Sequence, residues 1–339
     1  MQKERPCLLE QIQGVSVQSI ACTVPKQCMS LVEYAPDLVN EKTARQITRV
    51  TGFSSLRITP KEMTVSDLFV KSAQLIMTDI DASDIGALVF VTEAPDYILP
   101  ATSHVLQNRL NLPNSVLCLD INEGCSGYIT GLYVASLLAK QSDSYVLFGG
   151  GGTSSKFTSP NDRATRCTFG DAGFACLITP DGSDELLFGF ASHGELADTI
   201  IMENSRHRFV ENPKNDGYLY IDGASMMKFT LTEVLEVIKQ VLDESGYAKE
   251  EISLYACHQT NRLLLSSLAG ALGIPEDKMP FTASEIGNTT SASIPLLLSA
   301  QKSKADLSRV FCLGEGVGLS VGICIANFSK TKIFHISEL

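Results

Sequence analysis

The chain of 339 residues has no tryptophan and only five histidines, so each imidazole can be weighed as a candidate for proton chemistry. Its ten cysteines include no Cys-x-x-Cys pair and no Cys/His spacing suited to a metal, which argues against a structural zinc, a redox dithiol or any metal centre. Positive charge is also scarce. The 27 Lys and Arg against 38 Asp and Glu leave a net charge of −11, and binding to nucleic-acid phosphates would need a basic surface instead. No apolar run approaches the roughly 20 residues that cross a bilayer; the most apolar helical stretch, 127–139, is shorter and reads as a core helix. Low-complexity runs are missing, and no secretory signal precedes the first strand. Together these imply a reduced protein of the cytoplasm, with no membrane and no nucleic acid among its partners.

What remains is a moderately apolar chain long enough to bury a large core, as two domains or one duplicated fold. Short continuous apolar runs at 87–92, 144–148 and 174–178, bounded by glycine or polar residues, read as strands buried on both faces between helices. This is the α/β layered arrangement. The second part repeats the alternation: a helix over 229–246, a strand over 252–257, helices over 262–272 and 288–302, and strands over 309–313 and 319–327. No residue-level repeat accompanies it.

Three places carry chemistry. Residues 122–127 (NEGCSG) set Cys125 between two glycines, after an apolar run and before a helical stretch. A strand turning sharply into a helix gives a cysteine the partial positive charge of a helix N-terminus, which favours the reactive thiolate. Residues 252–261 (ISLYACHQTN) deliver His258 at the end of a buried strand, and 284–295 (SEIGNTTSASIP) place Asn288 behind a glycine on a polar loop. Cysteine, imidazole and amide can supply a nucleophile, a proton shuttle or donor, and a second donor for a developing oxyanion.

These motifs, with VTGFSSLRI at 50–58, PDYILPAT at 95–102, DRATRCTFGDAG at 162–173, Met227 to Phe229 and GEGVGLSVG at 314–322, occur in the order of a known family. The chain resembles the β-ketoacyl-acyl-carrier-protein synthase III group of the thiolase-fold condensing enzymes over nearly its whole length. That resemblance implies an α/β thiolase-like fold of two pseudo-duplicated halves, 1–180 with the cysteine and 181–339 with the histidine and asparagine, in an α-β-α-β-α stack. It also implies an acyltransferase for which Cys125, His258 and Asn288 are the catalytic residues. Cys125 accepts an acyl group from a thioester, and His258 and Asn288 hold a malonyl-type thioester as it decarboxylates. The backbone N–H groups of Cys125 and Val317 form the oxyanion hole. Acyl-carrier-protein or coenzyme A thioesters are the expected partners, with no further cofactor, and a homodimer is expected in which Leu99 reaches the neighbour's acyl pocket. Arg163 and Lys228 correspond to basic residues of the substrate channel, whereas Gln46 stands where an aromatic often stacks on adenine and the basic cluster after His258 is thin.

Two departures are acidic. Glu123 replaces a small or apolar residue two positions before the cysteine, and Glu315 replaces a phenylalanine. A carboxylate beside the cysteine would oppose the thiolate. Glu123 could point to solvent or a subunit contact; alternatively both glutamates line a site for a polar or amine-bearing group, one acting as general base. The alternative activity is transfer of the acyl group from Cys125 to a hydroxyl or amine without decarboxylation. Cys257 is read as core filler, because strand neighbours face opposite ways. His104, His193, His207 and His335 are read as surface or packing residues. The glycines 149–152 lack the GxxxxGK[ST] register of a phosphate loop and are read as a turn after a strand.

Overall fold

The computed structural model describes residues 7–339. Eight strands carry the fold: β1 (Leu8–Val24), β2 (Ile85–Val91), β3 (Leu117–Ile121), β4 (Tyr145–Gly152), β5 (Ala172–Ser192), β6 (Leu254–Cys257), β7 (Val310–Gly316) and β8 (Ser320–Ala326). Their order is β6-β7-β8-β5-β4-β2-β3, with β1 antiparallel along β5. β1 and β5 are long enough to serve two sheets in turn. Residues 16–23 of β1 and 173–179 of β5 continue β4, β2 and β3, whereas 8–13 and 185–190 continue β8, β7 and β6. Register shifts between Gln13 and Ser19 mark the change of sheet, since an extra residue bends a strand and re-aims its side chains. The 180/181 junction expected between the halves falls inside β5, so a single continuous strand links them.

Helices α1 (Glu41–Thr51), α2 (Val65–Ile76), α3 (Thr102–Arg109), α4 (Gly127–Ser142), α5 (Leu235–Ser245), α6 (Arg262–Leu272) and α7 (Ser293–Gln301) complete the frame. Strand alternation sorts the side chains into layers. Val89 and Val91 of β2 and Leu254 and Ala256 of β6 face the central layer, with Ile129 and Leu132 of α4 and Ile294 and Leu298 of α7. Their neighbours Leu88 and Phe90 face outward to Phe69 of α2 and Leu106 of α3. On the other side Tyr255 and Cys257 face Leu265 of α6 and Val237 of α5. The stack is therefore α-β-α-β-α, with α4 and α7 sealed in the middle. Cys257 is core, buried on the face opposite to Ala256.

Glycines 149–152 are strand, not turn. All four lie in β4 and pair with β5 at residues 172–175. A side chain on Gly150 would strike the Val91 carbonyl of the neighbouring strand, and one on Gly149 would strike the Phe174 carbonyl. Backbone crowding, rather than chain reversal, explains the run.

Candidate active site

The turn that carries Cys125 is built by β3, which ends at Ile121, and α4, which begins at Gly127. The amide of Gly127 donates to Gly124 O at 2.9 Å and that of Ile129 to Ser126 O at 2.9 Å, so Cys125 rides on the tight first turn of a buried helix. Its sulfur lies against Gly316: a Cβ there would sit 2.9 Å from Sγ, and the residue has φ +156°, a conformation open to glycine. The backbone N–H groups of Val317 and of Cys125 itself both act on the sulfur and pull its pKa down. Burial, then the carboxyls of Glu93 and Glu315, push it up, and the net effect leaves the thiol well above its ordinary value.

The facing wall comes from the second half. His258 follows the last residue of β6 and is 2 % exposed; Asn288 is 3 % exposed, and Cys125 8 %. Ser293 Oγ lies 2.6 Å from His258 Nδ1 and 2.9 Å from the Thr290 carbonyl. Whichever way the serine proton points, Nδ1 is engaged, and Nε2 is left buried without a partner among the described residues. Burial lowers the imidazole pKa to about 4, so the ring is neutral at physiological pH. Asn288 accepts the Thr290 amide on Oδ1 at 3.0 Å, which leaves its Nδ2 hydrogens as what it can offer. Its backbone is fixed on both sides by Thr168 and Gly170. Thr290 thus holds both groups, through its N–H and its C=O, in the left-handed region at φ +48°. A β-branched residue rarely adopts that conformation unless its surroundings enforce it.

The two glutamates expected here take different settings. Glu123 is half-buried and accepts from Ser126 Oγ at 2.5 Å, while the same hydroxyl is 2.7 Å from Ser320 Oγ, whose own group donates to Val317 O at 2.8 Å. Through these two serines it links the turn of Cys125 to the 317 turn. Glu315 leaves β7 on the face opposite Gly314 and Gly316, which touch the turn of Cys125. Its Oε2 accepts from Thr230 at 2.8 Å, it is buried, and burial lifts its pKa to about 7. The carboxyl that sequence reasoning missed is Glu93. It comes two residues after β2, on the parity of the inward-facing Val89 and Val91, and crowds Gly124 beside Cys125. The sequence signal was present, an acidic residue directly behind a wholly apolar buried strand, but the neighbouring PDY motif drew the attention.

The other expected residues are peripheral. Arg163 lies exposed on a short helix and Lys228 is exposed at the end of the 223–229 helix, while Leu99 is 83 % exposed at the tip of its loop with Tyr97 and Ile98. Gln46 lies on α1 in a groove with Lys42, Arg45 and Arg49, and Arg45 and Arg49 line a second groove with Arg262 of α6. Positive charge is thus gathered across α1 and α6, not along α6 alone. Among the described residues no helix is long and apolar enough to cross a membrane, and no three His, Cys, Asp or Glu side chains gather as metal ligands.

A cysteine at the head of a central helix, with a neutral histidine and an amide opposite, defines an acyl-transferring enzyme of the thiolase fold. Comparisons with known proteins give the family. Residues 119–194 match the model for 3-oxoacyl-[acyl-carrier-protein] synthase III and residues 242–328 the model for its C-terminal part. The chain is 31 % identical over 288 residues to the β-ketoacyl-[acyl-carrier-protein] synthase III of Lactobacillus delbrueckii subsp. bulgaricus, covering 83 % of this chain and 90 % of that one. It is 30 % identical over 309 residues to the enzyme of Latilactobacillus sakei subsp. sakei, covering 86 % and 93 %. The crystal structure of a 3-oxoacyl-(acyl-carrier protein) synthase from Burkholderia xenovorans superposes with a TM-score of 0.93 at 29 % identity, covering 98 % of this chain and 99 % of that one. The chain belongs to the 3-oxoacyl-[acyl-carrier-protein] synthase III family.

Proposed function

We propose that the protein joins an acyl group to a malonyl-type extender by decarboxylative Claisen condensation, with Cys125, His258 and Asn288 as its catalytic residues. In the first half-reaction the Cys125 sulfur attacks the carbonyl of an acyl thioester. The tetrahedral oxyanion is held by the N–H groups of Cys125 and Val317; the packing of the Cys125 sulfur against Gly316, next to Val317 and just ahead of α4, is the observation that carries this reading. The C–S bond to the carrier breaks, the carrier thiol departs with the proton lost by Cys125, and an acyl-cysteine remains.

In the second half-reaction the extender thioester rests its carbonyl oxygen on Asn288 Nδ2 and on His258 Nε2–H, the tautomer formed when the Ser293 hydroxyl turns from the Thr290 carbonyl to donate to Nδ1. Breaking the bond to the carboxylate releases carbon dioxide and leaves its electron pair on the α-carbon as an enolate. A neutral donor pair suits an enolate that must next react, because it stabilises the charge without trapping a proton-transfer partner. The α-carbon attacks the acyl-cysteine carbonyl, the Cys125 sulfur leaves and regains a proton, and a β-ketoacyl thioester is released. Coenzyme A or acyl-carrier-protein thioesters serve as substrates without another cofactor. The basic grooves on α1 and α6 fit an acidic carrier, and the exposed apolar tip at Leu99 fits a homodimer in which it enters the partner's acyl pocket.

The test is labelled carbon dioxide release from a malonyl thioester, read with intact-protein mass spectrometry after acyl thioester addition. Asn288→Ala is expected to keep the Cys125 adduct and lose decarboxylation by roughly a hundred- to a thousandfold, the cost of removing one such donor. An acylated enzyme that never decarboxylates any malonyl thioester, yet discharges onto alcohols or amines, would overturn the proposal in favour of simple acyl transfer.

A further inference from the structure

The proposed chemistry leaves Glu93 unused. It stands beyond the end of β2 as His258 stands beyond the end of β6, and both carry on the inward-facing parity of their strands. One carboxylate oxygen accepts from Ser154 Oγ at 3.1 Å, and this is its one hydrogen bond among the described residues. The other oxygen lies over Gly124, where any side chain larger than hydrogen would collide with it. Among the described residues no lysine or arginine pairs with Glu93, and the side chains that act electrostatically on the neighbouring Cys125 are both acidic, Glu93 and Glu315. His258 Nε2 is buried without a partner among the described residues, whereas Glu93 is half-buried.

Burial raises the Glu93 pKa to about 7. A carboxyl kept so close to neutrality in a low-polarity setting has much to gain from a positive neighbour, because ionisation and pairing then reinforce each other. An anionic acyl group would meet the Glu93 carboxyl beside Gly124.

We propose that Glu93 is a specificity-determining residue that selects, for transfer to Cys125, an acyl group bearing an ammonium close to its thioester carbonyl. The inference deepens the condensing-enzyme reading and rests on it. The carboxylate over Gly124 receives the ammonium as the thioester carbonyl reaches the sulfur, and the charge-assisted hydrogen bond so formed also removes the negative charge that opposes the thiolate.

The experiment measures acylation of Cys125 in the full chain by intact mass, with the coenzyme A thioesters of 3-aminopropanoate, butanoate and succinate as probes. The first two acyl groups have equal numbers of chain atoms and differ in the terminal ammonium. The wild type is expected to favour 3-aminopropanoyl over butanoyl by about tenfold to a hundredfold, the worth of one hydrogen bond to a charged group, with succinyl slowest. Glu93→Gln should bring the amine and alkyl rates together, and Glu93→Asp should keep part of the preference, both at unchanged melting behaviour near pH 5. Efficient acylation without an amine preference, a succinyl preference, or a preference that survives Glu93→Gln would each overturn the role of Glu93 while leaving condensation intact. Failure of every thioester to acylate Cys125 would overturn both.

Discussion

The two halves of the molecule put different chemistry on matching positions. In the first, parallel strands β2 and β4 are followed by antiparallel β5; in the second, parallel β6 and β7 are followed by antiparallel β8. Just past β2 stands Glu93, and just past β6 stands His258. Ahead of the central helix of the first half stands Cys125, and ahead of that of the second stands Asn288. The second-half pair is over-determined: both side chains are tied to Thr290, one directly and one through Ser293. The first-half pair is loosely held, Glu93 by one serine and Cys125 by backbone N–H groups that substrate oxygen is to occupy. A donor wall benefits from rigidity because it stabilises one transition-state charge without reorganising. In the proposed cycle Cys125 and Glu93 act as nucleophile and recognition group and must change partners.

If the halves divide the labour in this way, they can be separated. Cys125→Ala is expected to abolish the acyl adduct and all β-ketoacyl product, while the wall formed by His258 and Asn288 still releases carbon dioxide from a malonyl thioester at a rate within about tenfold of wild type, because none of its donors is lost. Loss of decarboxylation in that variant, with the fold intact by circular dichroism, would show that the wall works only against an acylated cysteine.

A smaller effect is expected inside the wall. Ser293→Ala leaves His258 Nδ1 and the Thr290 carbonyl without their shared hydroxyl, and one neutral hydrogen bond of about 1–1.5 kcal/mol corresponds to roughly a tenfold fall in decarboxylation. Acylation of Cys125 should not change, and Ser293→Thr should restore the rate. An equal fall in both half-reactions would place Ser293 in the fold rather than in the orientation of the imidazole.

Much of this division could be read in the sequence. The cysteine between glycines, the histidine closing a buried strand and the asparagine before the last apolar helix each carried a local pattern, and α6 begins and ends where its periodicity stops. What could not be read were contacts made across the sheets. Glycines 149–152 look like a turn until β2 and β5 are packed on either side of them. Glu123 and Glu315 are both acidic neighbours of the cysteine in sequence pattern, yet β7 turns Glu315 to Thr230 and a pair of serines recruits Glu123 to a staple. Glu93 is near Cys125 only because β2 and β3 are adjacent parallel strands, and 32 positions of chain separate them.

The smallest expected effect contrasts Glu93 with Glu123 through stability and thiol reactivity. Glu93 has its carboxyl lifted by burial from 4.5 to about 7, so the folded chain holds that proton more tightly than the unfolded one. The associated stability is complete below about pH 4.5 and is lost as pH rises through 7. Glutamine at this position carries no such loss. Glu93→Gln should therefore match wild type near pH 5 and exceed it at pH 8 by on the order of 1–3 kcal/mol, a rise in melting temperature of roughly 2–6 °C for a chain of this size. Removing the carboxylate should also make Cys125 react faster with iodoacetamide at pH 8, since one of the groups opposing its thiolate is gone. Glu123→Gln should behave differently. It weakens the hydrogen bond from Ser126 at every pH, so it is expected to lower stability by about 1 kcal/mol without a strong pH dependence and to leave the iodoacetamide rate unchanged. Melting curves of the two variants from pH 5 to pH 8 check both at once, and a pH-independent difference between Glu93→Gln and wild type would mean that Glu93 does not ionise against the cost of burial, removing the electrostatic contrast between the halves.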